Sequence, residues 1–172
     1  YLKEKLKDDK RVVALAPDTG AAERNERLAY KLSELLGIDV GLAITNKERI
    51  SCDSSKVKDI IGDVSGATLV TYDDESVTAG TVIQATEFAK DKKGAIRGVG
   101  VLTHGKFTGE GIKKVEASCL DEVVVTDTVW RPNSFYEDHP KFSKVSVAAR
   151  FAEAIRRIHN SESISRMYGQ VI

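Results

Sequence analysis

Residues 67–81 read ATLVTYDDESVTAGT. An apolar, partly β-branched run ends on two adjacent carboxylates, Asp73 and Asp74. A turn of small residues, Thr78-Ala79-Gly80-Thr81, follows them. A short apolar run of this kind reads as a buried strand, and the spacing from Thr81 to Lys90 reads as a helix. The unit is therefore strand, acidic pair, small-residue turn, helix. If it repeats along the chain, the fold is a parallel sheet with helical crossovers.

The strand–helix alternation, though not the acidic pair, does recur on both sides. RVVALAP (11–17) is a short strand stopped by proline, and Ala21 to Leu36 carries Ala22, Leu28, Ala29, Leu32, Leu35 and Leu36 at helical spacing before Gly37. IDVGLAI (38–44) is a second strand. NKERISCDSSKVKDI (46–60) is polar and lacks either periodicity, so it reads as a long loop, of which Asn46 to Lys58 is expected to be mobile without ligand. ATLVTYDD is the third strand. IRGVGVLTHG (96–105) is a fourth, followed by a helix ending near Ala117. EVVVTDT (122–128) is a fifth, and VSVAA (145–149) a sixth running into AARFAEAIRRIH. Near-continuous apolar strands imply a mostly parallel, twisted sheet with helices on both faces, in one α/β domain over residues 1–172.

Composition narrows the function. The 172 residues suffice for one ordinary core. Twenty-six basic and 26 acidic side chains cancel, which argues against bulk electrostatic binding to nucleic acid or a membrane surface. Cys52 and Cys119 are spaced as neither a metal nor a redox pair and read as reduced thiols of a cytoplasmic protein. No run reaches the length of a membrane span, and no signal peptide opens the chain. YLKEKLKDDK (1–10) reads as the end of an amphipathic helix, so the expectation is that sequence precedes it.

Ligands of such sheets collect at the carboxyl ends of the strands. The polar residues at those ends are Asp18, Lys47 and Arg49, Asp73 and Asp74, Thr103 and His104, and Thr126 to Thr128. The turn after the acidic pair suits a phosphate, because helix N-terminal N–H groups point outward and the helix dipole favours an anion. The carboxylates suit vicinal hydroxyls, or the waters of a Mg²⁺ ion. Against this stands helix capping by the same acids, although capping alone does not call for Thr-Ala-Gly-Thr. His104 stays open between a structural imidazole and a site group. Trp130 reads as packing at a contact.

YDDESVTAGT resembles the ribose-5-phosphate loop of the type I phosphoribosyltransferase fold. APDTGAAER (16–24), LAITNKER (42–49), IIGDVSGATLV (60–70), VLTHGKFTGEGI (101–112), EVVVTDT and VSVAARFAEAIRRIHNSESIS (145–165) together resemble, in order, the C-terminal half of the ribose-phosphate pyrophosphokinase family. The resemblance implies synthesis of phosphoribosyl pyrophosphate from Mg-ATP and ribose 5-phosphate. It implies that Asp73 and Asp74 meet the ribose hydroxyls and that Thr78, Ala79, Gly80 and Thr81 cradle the 5-phosphate. Lys47 and Arg49 then match the basic pair at the root of a mobile catalytic loop. Asp18 matches an acid near the metal, with a helix cap as its competitor.

The same resemblance implies a homologous N-terminal domain, residues 1–10 as the end of a linking helix, and dimers assembled into hexamers. Val77 departs from the family, where many members carry a third acid before the threonine. Three other readings stand beside it: a salvage phosphoribosyltransferase, a non-catalytic regulatory relative and a nucleotide-sensing module.

Overall fold

The structure, a computed structural model, describes residues 1–51, 54–108 and 110–168; of 49–51, 54–55 and 168 it describes the backbone alone. Seven strands form one sheet: β1 (Val12–Ala16), β2 (Gly41–Ser51), β3 (Ser54–Ile61), β4 (Thr68–Ser76), β5 (Arg97–Gly105), β6 (Glu122–Thr126) and β7 (Phe142–Val145). Their spatial order is β3-β2-β1-β4-β5-β6-β7. All pairs are parallel except β2 with β3. The helices are α1 (Leu2–Lys5), α2 (Ala22–Leu36), α3 (Gly80–Lys93), α4 (Glu110–Ala117), α5 (Asn133–Asp138) and α6 (Ala148–His159), with a 3₁₀ turn at each of Thr19–Ala21 and Ser165–Tyr168.

The alternation of side chains along β1 shows how two faces are covered. Val13 and Leu15 pack with Ala85 and Ala89 of α3. Val12 and Ala14 pack with Ala29 and Leu32 of α2 on the other face. All five residues of β1 are buried, which is why RVVALAP shows no polar alternation. A third cluster joins Val82 of α3 and Val115 of α4 to Leu102, Val123, Val125 and Phe142. Helix α6 contributes no buried residue, and Phe151, Ile155 and Ile158 are each more than half exposed.

Three expectations need correction. Of the segment 46–60, residues 46–51 and 54–60 form a long antiparallel arm rather than a loop; Cys52 and Asp53 lie outside the described residues. Strand β2 pairs with β1 only through Ile44, opposite Ala16, and then continues to Ser51 against β3. Beyond the end of β1 the arm has no sheet neighbour on that side, so it needs no apolar face and shows no strand periodicity. The sixth predicted strand lies earlier, at Phe142–Val145, because Val147 already leads into α6. The short α5 follows Pro132, whose fixed φ suits a helix entry, and was not anticipated.

The strand order places a switch point between β1 and β4. From β1 the chain moves outward to β2 and β3, then returns to the opposite side of β1 as β4. Loops leaving β1 and β4 diverge there and open a crevice at the carboxyl edge. Asp18 follows β1, and Asp73 and Asp74 lie near the carboxyl end of β4.

Candidate functional site

The acidic pair is organised by its own backbone. Asp73 Oδ1 accepts the N–H of Asp74 at 3.0 Å, and Asp74 Oδ1 accepts the N–H of Glu75 at 3.0 Å. Asp73 is half-buried and Asp74 exposed. Burial raises the pKa of Asp73, and the neighbouring carboxylate adds to the rise, while Arg24 opposes it. Slight burial also disfavours ionisation of Asp74, but the Glu75 N–H, Asp73 and Arg24 outweigh it and its pKa falls. Adjacent carboxylates on one strand end thus titrate apart.

The turn after them is a helix entrance made without a side-chain cap. Ala79 takes the left-handed conformation at φ 55°, although it is not glycine, and its Cβ is buried in the core. Its N–H reaches Ser76 Oγ at 2.7 Å, and the N–H of Gly80 reaches Thr78 Oγ1 at 3.3 Å. No acidic residue lies in the first turn of α3, and Lys90, Lys92 and Lys93 lie in the last. The first-turn N–H groups of Thr81 and Val82 have no helical acceptor. An uncapped helix end with hydroxyls on its rim is equipped to receive an anion. Val77 is exposed at its edge.

A second loop buttresses this turn. Thr108 N–H donates to Val77 O at 3.3 Å, Lys106 N–H donates to Ser76 O at 3.0 Å, and Lys106 Nζ lies at Glu75. A Cβ on Gly111 would stand 2.4 Å from Val77 O, so only glycine lets α4 approach so closely.

Lys47 lies on the β2 arm, half-buried, where burial lowers its pKa and the charges of Asp18 and Asp73 pull it back up. The lysine therefore shares the crevice with both acids. A register shift in the β2–β3 ladder falls between Asn46 and Lys47, the kind of irregularity that re-aims a side chain. The side chain of Arg49 lies outside the described residues. Asp18 serves as the cap of the 3₁₀ turn, accepting the N–H of Ala21 at 3.0 Å. Among the described residues no three His, Cys, Asp or Glu side chains gather as a metal cage.

Sequence reasoning overlooked two neighbours. Arg24, in the first turn of α2, lies 2.9 Å from Asp74 Oδ1 and 3.4 Å from Asp73 Oδ1. Asn25 is fully buried; its amide donates to Ala21 O and Tyr72 O and accepts the N–H of Tyr72. An asparagine at a core position of an amphipathic helix was the available signal. His104 is exposed, its Nδ1 2.8 Å from Thr128 Oγ1, and belongs to the next strand ends along the rim.

The family model for the phosphoribosyl synthetase-associated domain matches residues 39–169. The chain belongs to this family. Among its relatives, the ribose-phosphate pyrophosphokinase of Caldanaerobacter subterraneus is 38% identical over 168 residues, 98% of this chain and 50% of that protein. The Vibrio cholerae protein of the same name is 36% identical over 91% of this chain and 48% of its own length. Among solved structures, the phosphoribosylpyrophosphate synthetase from Mycobacterium smegmatis matches with a TM-score of 0.78 and 27% identity, over 94% of this chain and 49% of that one. The chain spans about half the length of the relatives it matches. No helix among the described residues is long and apolar enough to cross a membrane.

Proposed function

We propose that this chain is the sugar-phosphate half of a ribose-phosphate pyrophosphokinase, an enzyme that moves a pyrophosphoryl group from ATP to the anomeric hydroxyl of ribose 5-phosphate. The observation that carries the reading is the end of β4: two carboxylates and, four residues on, an uncapped helix entrance at the sheet's switch point. A ribose phosphate has the complementary pair of groups, an anion and vicinal hydroxyls, separated by the sugar ring. The phosphate would accept N–H groups of Gly80, Thr81 and Val82 and the hydroxyls of Thr78 and Thr81. The sugar hydroxyls would donate to Asp73 and Asp74.

Lys47, with Arg49 two residues along the same strand, would act on the ATP side. Two cations there would stabilise charge that develops as the bond between the α- and β-phosphates of ATP breaks. The residues present suit Mg²⁺ bound mostly through water and substrate oxygens, since two carboxylates stand at the strand end without a third donor of a protein cage. When bound, the ion would neutralise phosphate charge; Asp73, Asp74 and Asp18 are the residues near enough in the crevice to hold its waters. The adenine pocket, an N-terminal homologous domain and homo-oligomeric assembly belong to the same proposal. The apolar side chains that α6 leaves exposed support a covering partner. Cytoplasmic location is part of the same proposal.

Calorimetric titration tests the site directly. The chain should bind ribose 5-phosphate, and Asp73→Asn with Asp74→Asn should weaken that binding by about tenfold or more, the scale of a lost hydrogen bond to a charged group. Inorganic phosphate should bind both forms alike. An equal loss for both ligands would reduce the acids to helix-entry structure and overturn their assignment.

A further inference from the structure

The two acids should not reach one place. Consecutive residues of a strand point to opposite faces. Yet Oδ1 of Asp73 and Oδ1 of Asp74 both lie within ion-pair distance of one atom, Nη1 of Arg24, at 3.4 and 2.9 Å. The guanidinium comes from a different element, the first turn of α2, and is one-third exposed.

Its backbone is fixed to the strand that carries the acids. The next residue, Asn25, uses its amide to hold Tyr72, the residue just before Asp73, through both the N–H and the carbonyl, at 3.0 and 2.9 Å. Helix α2 and the end of β4 are therefore one unit at this point. The bracket holds the backbone of Arg24 beside the acids.

The division of oxygens is informative as well. Oδ1 of each acid is used twice, once for the following N–H and once for Arg24. Among the described residues no donor reaches Oδ2 of either acid. One acceptor oxygen of each carboxylate is thus left over, while the repulsion between the two acids is offset by the Arg24 cation. Vicinal hydroxyls present two donors.

We propose that Arg24 is the positioning residue of the sugar site, gathering Asp73 and Asp74 through Oδ1 so that their Oδ2 atoms together accept a vicinal diol. This role rests on the ribose-phosphate reading of the site. Arg24 contributes nothing to the phosphate cradle, which is built from the backbone of 78–82.

The test compares ribose 5-phosphate with inorganic phosphate by calorimetry on the unaltered chain, Arg24→Gln, Arg24→Lys, Asp74→Asn, and Arg24→Gln combined with Asp74→Asn. Arg24→Gln should lower ribose 5-phosphate affinity by about tenfold, as expected for removal of a charge-assisted contact, and leave phosphate binding unchanged. Arg24→Lys should restore part of the loss, because it returns the charge without the planar fork. In the Asp74→Asn background the Arg24→Gln loss should be smaller, since one of the two carboxylates no longer needs gathering. An Arg24→Gln chain that binds both ligands normally would make the contact a surface ion pair and overturn the role. Equal weakening of both ligands would overturn it too, by making Arg24 a phosphate ligand or a folding residue. Failure of the unaltered chain to bind ribose 5-phosphate would instead overturn the reading of the site on which the role rests.

Discussion

Lys47 shows how one residue reports on the site as a whole. Burial disfavours its charged form, and the nearby acids only partly compensate. The native lysine therefore releases its proton at lower pH than the unfolded one. Between those two values the unfolded chain binds more protons, so native stability rises with pH in that window. Below the window the lysine is charged in both states and the cost is present in full. Lys47→Met should consequently raise the melting temperature at pH 7, by a few degrees if the gain is about 1 kcal/mol. The gain should shrink as pH climbs toward the ordinary lysine value. Thermal melts at pH 7 and pH 10 check this; a variant less stable than the parent at pH 7 would mean that the ion pairing with Asp18 and Asp73 outweighs burial. A stabilising loss of this kind is expected where a charge is kept for function rather than for the fold.

At the scale of elements, the site depends on α4 pressing against the loop between β4 and α3. Gly111 allows that approach, with a Cβ position only 2.4 Å from a backbone carbonyl. Alanine normally favours a helix by about 1 kcal/mol over glycine. Here the clash falls on backbone that Thr108 and Lys106 also hold, so it should prevail and Gly111→Ala should destabilise by about 1–3 kcal/mol. Ribose 5-phosphate affinity should fall with it, because the displaced Val77–Thr78 segment carries the rim of the proposed phosphate cradle. Denaturant melts and a titration check both parts, and a more stable variant with normal binding would remove the buttress from the account.

Elements also explain what could be read in advance. The strands that are buried on both faces, such as 12–16 and 68–70, declare themselves by unbroken apolar runs. The β4–α3 turn was legible because its small residues and acids have few other uses together. The β2–β3 arm was not, since a two-stranded extension beyond the sheet buries only positions such as Val57 and Ile60. Arg24 was missed for a different reason. Its partners lie 49 and 50 residues away, and nothing local to a helical Glu-Arg sequence separates a site cation from a solvated one.

For the molecule as a whole, strand order turns these separate pieces into one crevice. Asp18, Lys47, Asp73 and Arg24 come from four different segments, and the reversal between β1 and β4 brings them to the same edge. The chemistry we propose for it is an anion site, a diol site and a cationic arm, in a chain that spans about half the length of its relatives. A crystal structure of this chain with ribose 5-phosphate tests that arrangement most directly. The account predicts the phosphate on the N–H groups at the start of α3, and the 2- and 3-hydroxyls on Asp73 and Asp74 with Arg24 still behind them. A sugar bound with its phosphate on Lys47 and its hydroxyls away from the acidic pair would contradict it.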